Sequence, residues 1–170
     1  MIIRPYRNIL PTIASDVFIA EGAVVIGDVH IGAKSNVWFG CVIRGDVNII
    51  RIGSRTNIQD GTVVHVTRKT GPTIIGNGVT IGHSVLLHAC TLEDDCFIGM
   101  HSTIMDGAVV ESGAWVAAGA IVTPGKRIPK GQIWAGNPAR YLRDMKPEEA
   151  AFIPVSSQNY VDLAEEYLAG

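Results

Sequence analysis

Large aliphatic residues recur every six positions along most of this chain, and that period constrains the fold more than any other feature. Ile19, Val25, Ile31, Val37 and Ile43 form one run, Ile52, Ile58 and Val64 a second, Ile75, Ile81 and Leu87 a third, and Leu92, Ile98, Ile104, Val110 and Val116 a fourth. Four residues after each stands a small or short side chain, among them Ala23, Ser35, Cys41, Val47, Thr62, Val85, Thr91, Cys96, Ser102 and Ala120. Six residues are too few for a helical hairpin and out of step with a heptad. The repeat therefore reads as a parallel β-helix, in which each hexad is a short strand plus a corner and three hexads make one triangular turn. A narrow axial core cannot hold two bulky side chains per face, which explains why large and small residues alternate. Glycines in IGDVHIG, IGNGVTIGH and IGMHS suit corners that exclude a Cβ. An antiparallel sandwich would space its turn signals at roughly 8–12 residues instead.

The repeat divides the chain. Residues 1–145 are expected to form the β-helix domain, with a lead-in over 1–12 and a loop-rich closing segment after Val122. Residues 146–170 are expected to form a C-terminal helix packed on it. Pro147-Glu148-Glu149 reads as a helix start, and beyond Pro154 the residues Tyr160, Leu163, Ala164, Tyr167 and Leu168 fall on one face. A composition 47% hydrophobic but only 6% aromatic suits stacked Ile and Val. A net charge of −2 leaves no basic footprint, which argues against nucleic acid as a partner. The apolar runs are too short and too broken by Gly to span a bilayer, and Met-Ile-Ile-Arg-Pro is no leader. A soluble, cytoplasmic protein is the expectation. Cys41 and Cys96 fill inward small positions, and nothing around Cys90 marks it as a nucleophile.

The register then decides which histidines can meet. With Val64 on wall one, Ile75 begins wall two, Ile81 wall three, and Leu87 returns to wall one. His65 follows Val64 and His88 follows Leu87, so the two stack one turn apart, at about the 4.8 Å of neighbouring strands. Their separation of 23 residues is one turn of 18 plus an excursion of five in VTRKTGP. His83 sits on wall three and cannot join the pair within one prism. Three prisms about a common axis would bring wall three of one subunit against wall one of the next. The expectation is a homotrimer with a metal at each seam, held by His65, His83 and His88. Three imidazoles with an open position are the catalytic zinc arrangement (Zn2+), although Fe2+ or Co2+ would accept the same ligands. His30 and His101 read as solvated surface. If Ile49-Ile50-Arg51 is a corner bulge, Arg44 stacks below His65 and, across a seam, faces Asp60, which lies below His83; Asp46 offers a second carboxylate. If those residues are a truncated hexad, Arg44 moves to another wall.

IRGDVN at 43–48, RTNIQDGTVVH at 55–65, IGHSVLLHAC at 81–90, AGNPAR at 135–140 and NYVDLAEEYL at 159–168 together resemble the γ-class carbonic anhydrases and their close relatives. The resemblance spans almost the whole chain, although AGNPAR is shared with hexapeptide acyltransferases. It implies an all-β solenoid, a left-handed parallel β-helix of hexapeptide repeats with a C-terminal α-helix. It also implies a trimer with zinc at the seams, the counterparts of His65 and His88 coming from one subunit and that of His83 from its neighbour. The implied reaction is reversible hydration of CO2 to bicarbonate by a metal-bound hydroxide. Gln59 would hydrogen-bond the metal's water or the substrate, Asn57 and Tyr160 would help position CO2 or bicarbonate, and Arg44, Asp46 and Asp60 would tie subunits together. Active members of the family carry glutamates where this chain has Val47 and Arg68, so the proton relay is missing and slow hydration is compatible with the sequence. Two other readings stay open: a hexapeptide-repeat acyltransferase or CoA thioesterase, in which one histidine is a general base, and a catalytically weak metal-binding trimeric scaffold.

Overall fold

In the computed structural model, which describes residues 1–170, the chain winds into a left-handed parallel β-helix of about seven turns followed by a single α-helix, Pro147–Ala169. On wall one, Val25, Ile43, Val64, Leu87, Ile104 and Val122 stack in register and are completely buried. Wall two stacks Ile31, Ile52, Ile75, Leu92, Val110 and Ile128, and wall three Val37, Ile58, Ile81, Ile98 and Val116. Burying each such side chain contributes about 1.5–3 kcal/mol, so the six-residue period is the main driving force of the fold. Walls one and two merge into a 12-stranded sheet because Val24–Ile31 and Val42–Ile52 run unbroken round the corner between them, while wall three is an 8-stranded sheet.

The inward polar residues are satisfied by the corners. Thr62 Oγ1 donates to Gly82 O at 3.1 Å, Thr56 Oγ1 to Gly76 O at 2.8 Å and Ser102 Oγ to Gly99 O at 2.6 Å. Burying these hydroxyls therefore carries little penalty. Gly82 and Gly99 hold the corner nearest His83, where turns stack closely: a Cβ would lie 2.7 Å from Met100 N at Gly82 and closer still to Ala118 N at Gly99.

Several local expectations are corrected. The bulge starts earlier than Ile49-Ile50-Arg51 and shares only Ile49 with it: register with Val24–Ile31 breaks between Gly45 and Ile50, so Asp46–Ile49 bulge out. Ile50 returns to the core fully buried, and Val47 lies half-buried outside the small-residue column. Arg44 keeps its place beside His65, since Ile43 pairs with Val64. After Leu87 the hexad is one residue short, and Cys90 rather than Thr91 faces inward, 1% exposed. The closing segment is not loop-rich: Arg127–Ile128 and Gln132–Ala135 continue the stack, and Arg140–Asp144 folds back antiparallel on the latter.

The helix runs unbroken through Pro154. Its buried face carries Ile153, Ser156, Ser157, Val161 and Ala164; of the face read from the sequence, Ala164 is buried, the Tyr160 and Tyr167 rings pack against Trp38, and Leu163 and Leu168 are exposed. Specific polar contacts outweigh hydrophobicity here: Ser157 Oγ donates to Arg55 O at 2.7 Å, and Ser156 Oγ lies 3.1 Å from Thr80 Oγ1. Both anchor the helix along wall three.

Candidate metal centre

His65 and His88 are paired residues on neighbouring strands of wall one, their ring centroids 5.2 Å apart. His65 Nδ1 faces His88 Nε2 at 3.3 Å. The remaining nitrogen of each ring is held by a carboxylate: His65 Nε2 by Asp46 Oδ1 at 3.0 Å, and His88 Nδ1 by Asp106 Oδ1 at 2.7 Å. An ionised carboxylate only accepts hydrogen bonds, so with neutral imidazoles both ring protons point outward to the aspartates. The two remaining nitrogens, 3.3 Å apart, then carry lone pairs. A tetrahedral ion with nitrogen ligands at about 2.0–2.1 Å separates them by about 3.3–3.4 Å, so the residues present fit a zinc-like cation.

His83 stands apart on wall three, where its Nδ1 meets Asp60 Oδ2 at 2.8 Å and both side chains are 42% exposed. No group of three His, Cys, Asp or Glu within the single chain could hold a metal ion. His83 thus lies at an open corner with Nε2 unengaged. All three histidines of the trio have an aspartate partner, and neither His30 nor His101 has one. That contrast separates the trio from surface histidines.

The charged residues form a tight local network. Arg44 Nη1 pairs with Asp46 Oδ2 within the chain, and Asp60 is engaged by His83. Burial works against ionising Asp46, but hydrogen bonds from His65 and Arg44 outweigh it and hold its pKa below the ordinary value. Asp106 is also held low, first by the Thr67 hydroxyl and then by His88. Asp106 and Thr67 were not among the residues singled out from the sequence. The repeat does place Asp106: Ile104 stacks on Leu87, which puts Asp106 at the corner just beyond His88. Thr67 lies at the start of the excursion, where the register arithmetic has no purchase.

Gln59 is nearly buried on wall three beside His83. Its Nε2 donates to Asn57 Oδ1 at 2.9 Å, and Asn57 Nδ2 donates to Thr80 Oγ1 at 3.0 Å. Asn57 is completely buried, and its contact with Gln59 fixes the orientation of the Gln59 amide. Tyr160 reaches from the helix against Trp38, ring centroids 5.6 Å apart; burial raises the pKa of its hydroxyl, and the Asp60 charge adds to this. A cavity of about 570 Å³ opens beside Gln59 and His83, lined largely by apolar groups including Phe97, Met100 and Trp115. Burial pushes the Cys41 thiol up to about 11 and that of Cys90 up to about 12, and raises Cys96 further, so none supplies a thiolate nucleophile.

Residues 72–106 match the family described as bacterial transferase hexapeptide (six repeats). The chain is 54% identical to gamma carbonic anhydrase 1, mitochondrial, of Arabidopsis thaliana over 94% of its own length, and spans 60% of that longer relative. It is 45% identical to a probable carbonic anhydrase of Methanocaldococcus jannaschii, over 90% of this chain and 96% of that one. A crystal structure of a hexapeptide transferase family protein from Anaplasma phagocytophilum superposes with a TM-score of 0.95 at 48% identity, covering 98% of both chains. By full-length similarity of sequence, carried on this solenoid, the chain belongs to the γ-class carbonic anhydrase family.

Proposed function

We propose that this chain forms a homotrimer that hydrates CO2 reversibly to bicarbonate, with a zinc ion at each seam held by His65 and His88 of one subunit and His83 of the next. The observation that carries this reading is the pair of facing nitrogens 3.3 Å apart, each ring secured from behind by an aspartate. A third ligand is still needed, and His83 offers a free Nε2 at an outward corner. Between that corner and the stacked pair run the outward side chains of wall one, where Val63 is 37% and Leu86 39% exposed. An apolar strip beside a ligand that its own chain cannot use suits a seam between copies.

Bound zinc supplies Lewis acidity that makes hydroxide available near neutral pH; iron or cobalt would suit the same imidazoles. The chain's own residues do the rest. Gln59, fixed by Asn57, presents its remaining amide hydrogen-bonding groups beside His83. The apolar cavity next to it accepts CO2 and excludes competing water, and Tyr160 stands ready to orient the anionic product. Arg44, Asp46 and Asp60 hold the imidazoles and brace the seam. Hydration releases a proton each cycle, and neither Val47 nor Arg68 can carry it. Proton exit then falls to buffer, which makes turnover buffer-dependent.

Stopped-flow CO2 hydration on zinc-loaded trimer, with metal analysis of anaerobically purified protein, tests the proposal. A rate no higher than buffer sinks it. One observation favours a second reading, acyl transfer or CoA thioester hydrolysis: the cavity of about 570 Å³ far exceeds what CO2 needs. Acyl-CoA turnover by the same protein would promote it.

A further inference from the structure

The carboxylates behind the two stacked histidines are not equivalent. Asp46 shares its charge with a cation, Arg44. Asp106 has no Lys or Arg against it; its Oδ1 takes His88 Nδ1 at 2.7 Å, and its Oδ2 accepts the neutral Thr67 hydroxyl. Its backbone is pinned in a corner, Gly107 N donating to Ala89 O at 2.8 Å and Gly125 N donating to Asp106 O at 2.9 Å. Thr67 is brought there by the excursion that breaks the repeat: Thr67 N donates to Gly71 O at 2.8 Å, and Asn48 Nδ2 to Thr67 O at 3.0 Å. With both carboxylate oxygens engaged, one orientation of Asp106 is selected.

We infer that Asp106, locked by Thr67, is a positioning residue that fixes His88 as the Nδ1–H tautomer and so presents a bare Nε2 toward His65 and a metal ion. This rests on the metal reading above. It also gives the five-residue excursion a purpose, because without the loop nothing would occupy the second oxygen of Asp106. Asparagine at this position is a sharper probe than alanine. Its amide NH2 can donate to Nδ1 and select the opposite tautomer, turning an N–H toward the metal position.

The test uses full-length protein with Asp106→Asn, Asp106→Ala, Thr67→Val and His88→Ala. Nitrogen-15 shifts of the imidazoles in metal-free protein report the tautomer directly. The wild type is expected to show His88 protonated at Nδ1, and Asp106→Asn to move the proton to Nε2. Zinc affinity, read by chelator competition, should fall about 10–100-fold for Asp106→Ala and at least as far for Asp106→Asn. Thr67→Val should give a smaller loss, and the thermal midpoint of each metal-free variant should stay close to wild type. An unchanged tautomer in Asp106→Asn, or wild-type zinc affinity in both Asp106 variants while His88→Ala loses metal, overturns the inference alone. Metal retention by His88→Ala overturns the metal reading and the inference with it.

Discussion

From Leu92 to Val122 the solenoid steps by six residues without a break, whereas from Gly45 to Cys90 it breaks three times, at Asp46–Ile49, at 66–72 and in the short hexad after Leu87. The regular half carries neither of the stacked histidines; the irregular half carries the whole trio. The regular turns give the stacked histidines Asp106, which arrives at a fixed corner, and line the neighbouring cavity with Phe97, Met100 and Trp115. Regular stacking therefore supplies rigidity, and departures from it supply chemistry. An excursion frees backbone and side chains from the core without disturbing the turns above and below, so it is where Asp46 can be aimed at an imidazole and Thr67 at the carboxylate behind one.

The largest expected effect separates the two halves most clearly. His83→Ala should lose the metal and drop hydration to the buffer background, while metal-free stability shifts by no more than about 0.5 kcal/mol. Metal analysis and thermal melts check this, and full metal retention would break the seam arrangement. In the regular half the converse holds. Ile104, completely buried, should cost about 2–5 kcal/mol of stability as Ile104→Ala, with metal affinity per folded molecule unchanged; denaturant titration beside chelator competition tests it.

A smaller effect belongs to the Asp46–Ile49 loop. Val47→Glu places a carboxylate beside Asp46 and should raise turnover about 100-fold at low buffer, the low end of what a positioned proton carrier contributes. The gain should vanish at high buffer, and an equal gain at all concentrations would contradict a relay role. The smallest is electrostatic. The folded pKa of Asp46 lies below its ordinary 3.8, so its contribution is complete above that value and is lost as pH falls through the depressed one. Glu149 follows the same sign: the Arg143 guanidinium, aided by Lys146 N–H, lowers it from 4.5 to about 2, so its contribution fades between those values. Acid titration of Asp46→Asn and Glu149→Gln should each give a shallower loss of stability than wild type over its own window.

Much of the site was legible before any coordinates. The placement of Arg44 beside His65, of His65 beneath His88 and of Asp60 beside His83 follows from counting hexads, because parallel strands of equal repeat length stack residue on residue. Counting failed where the period was broken. The bulge lay earlier than expected, Cys90 displaced Thr91 from the core, and the helix buried Ser156 and Ser157 while leaving Leu163 and Leu168 exposed.

By itself the sequence determined the solenoid, the three walls and which histidines share one, since all of these depend on a local period repeated until its register is unambiguous. The tertiary structure alone decided that Arg44 pairs with Asp46 inside the chain, that Asn57 accepts a hydrogen bond from Gln59, and that Thr67 and Asp106 stand behind His88. Those are contacts between side chains leaving the core, directed by the shape of excursions and corners, and no periodic pattern encodes where such a side chain ends.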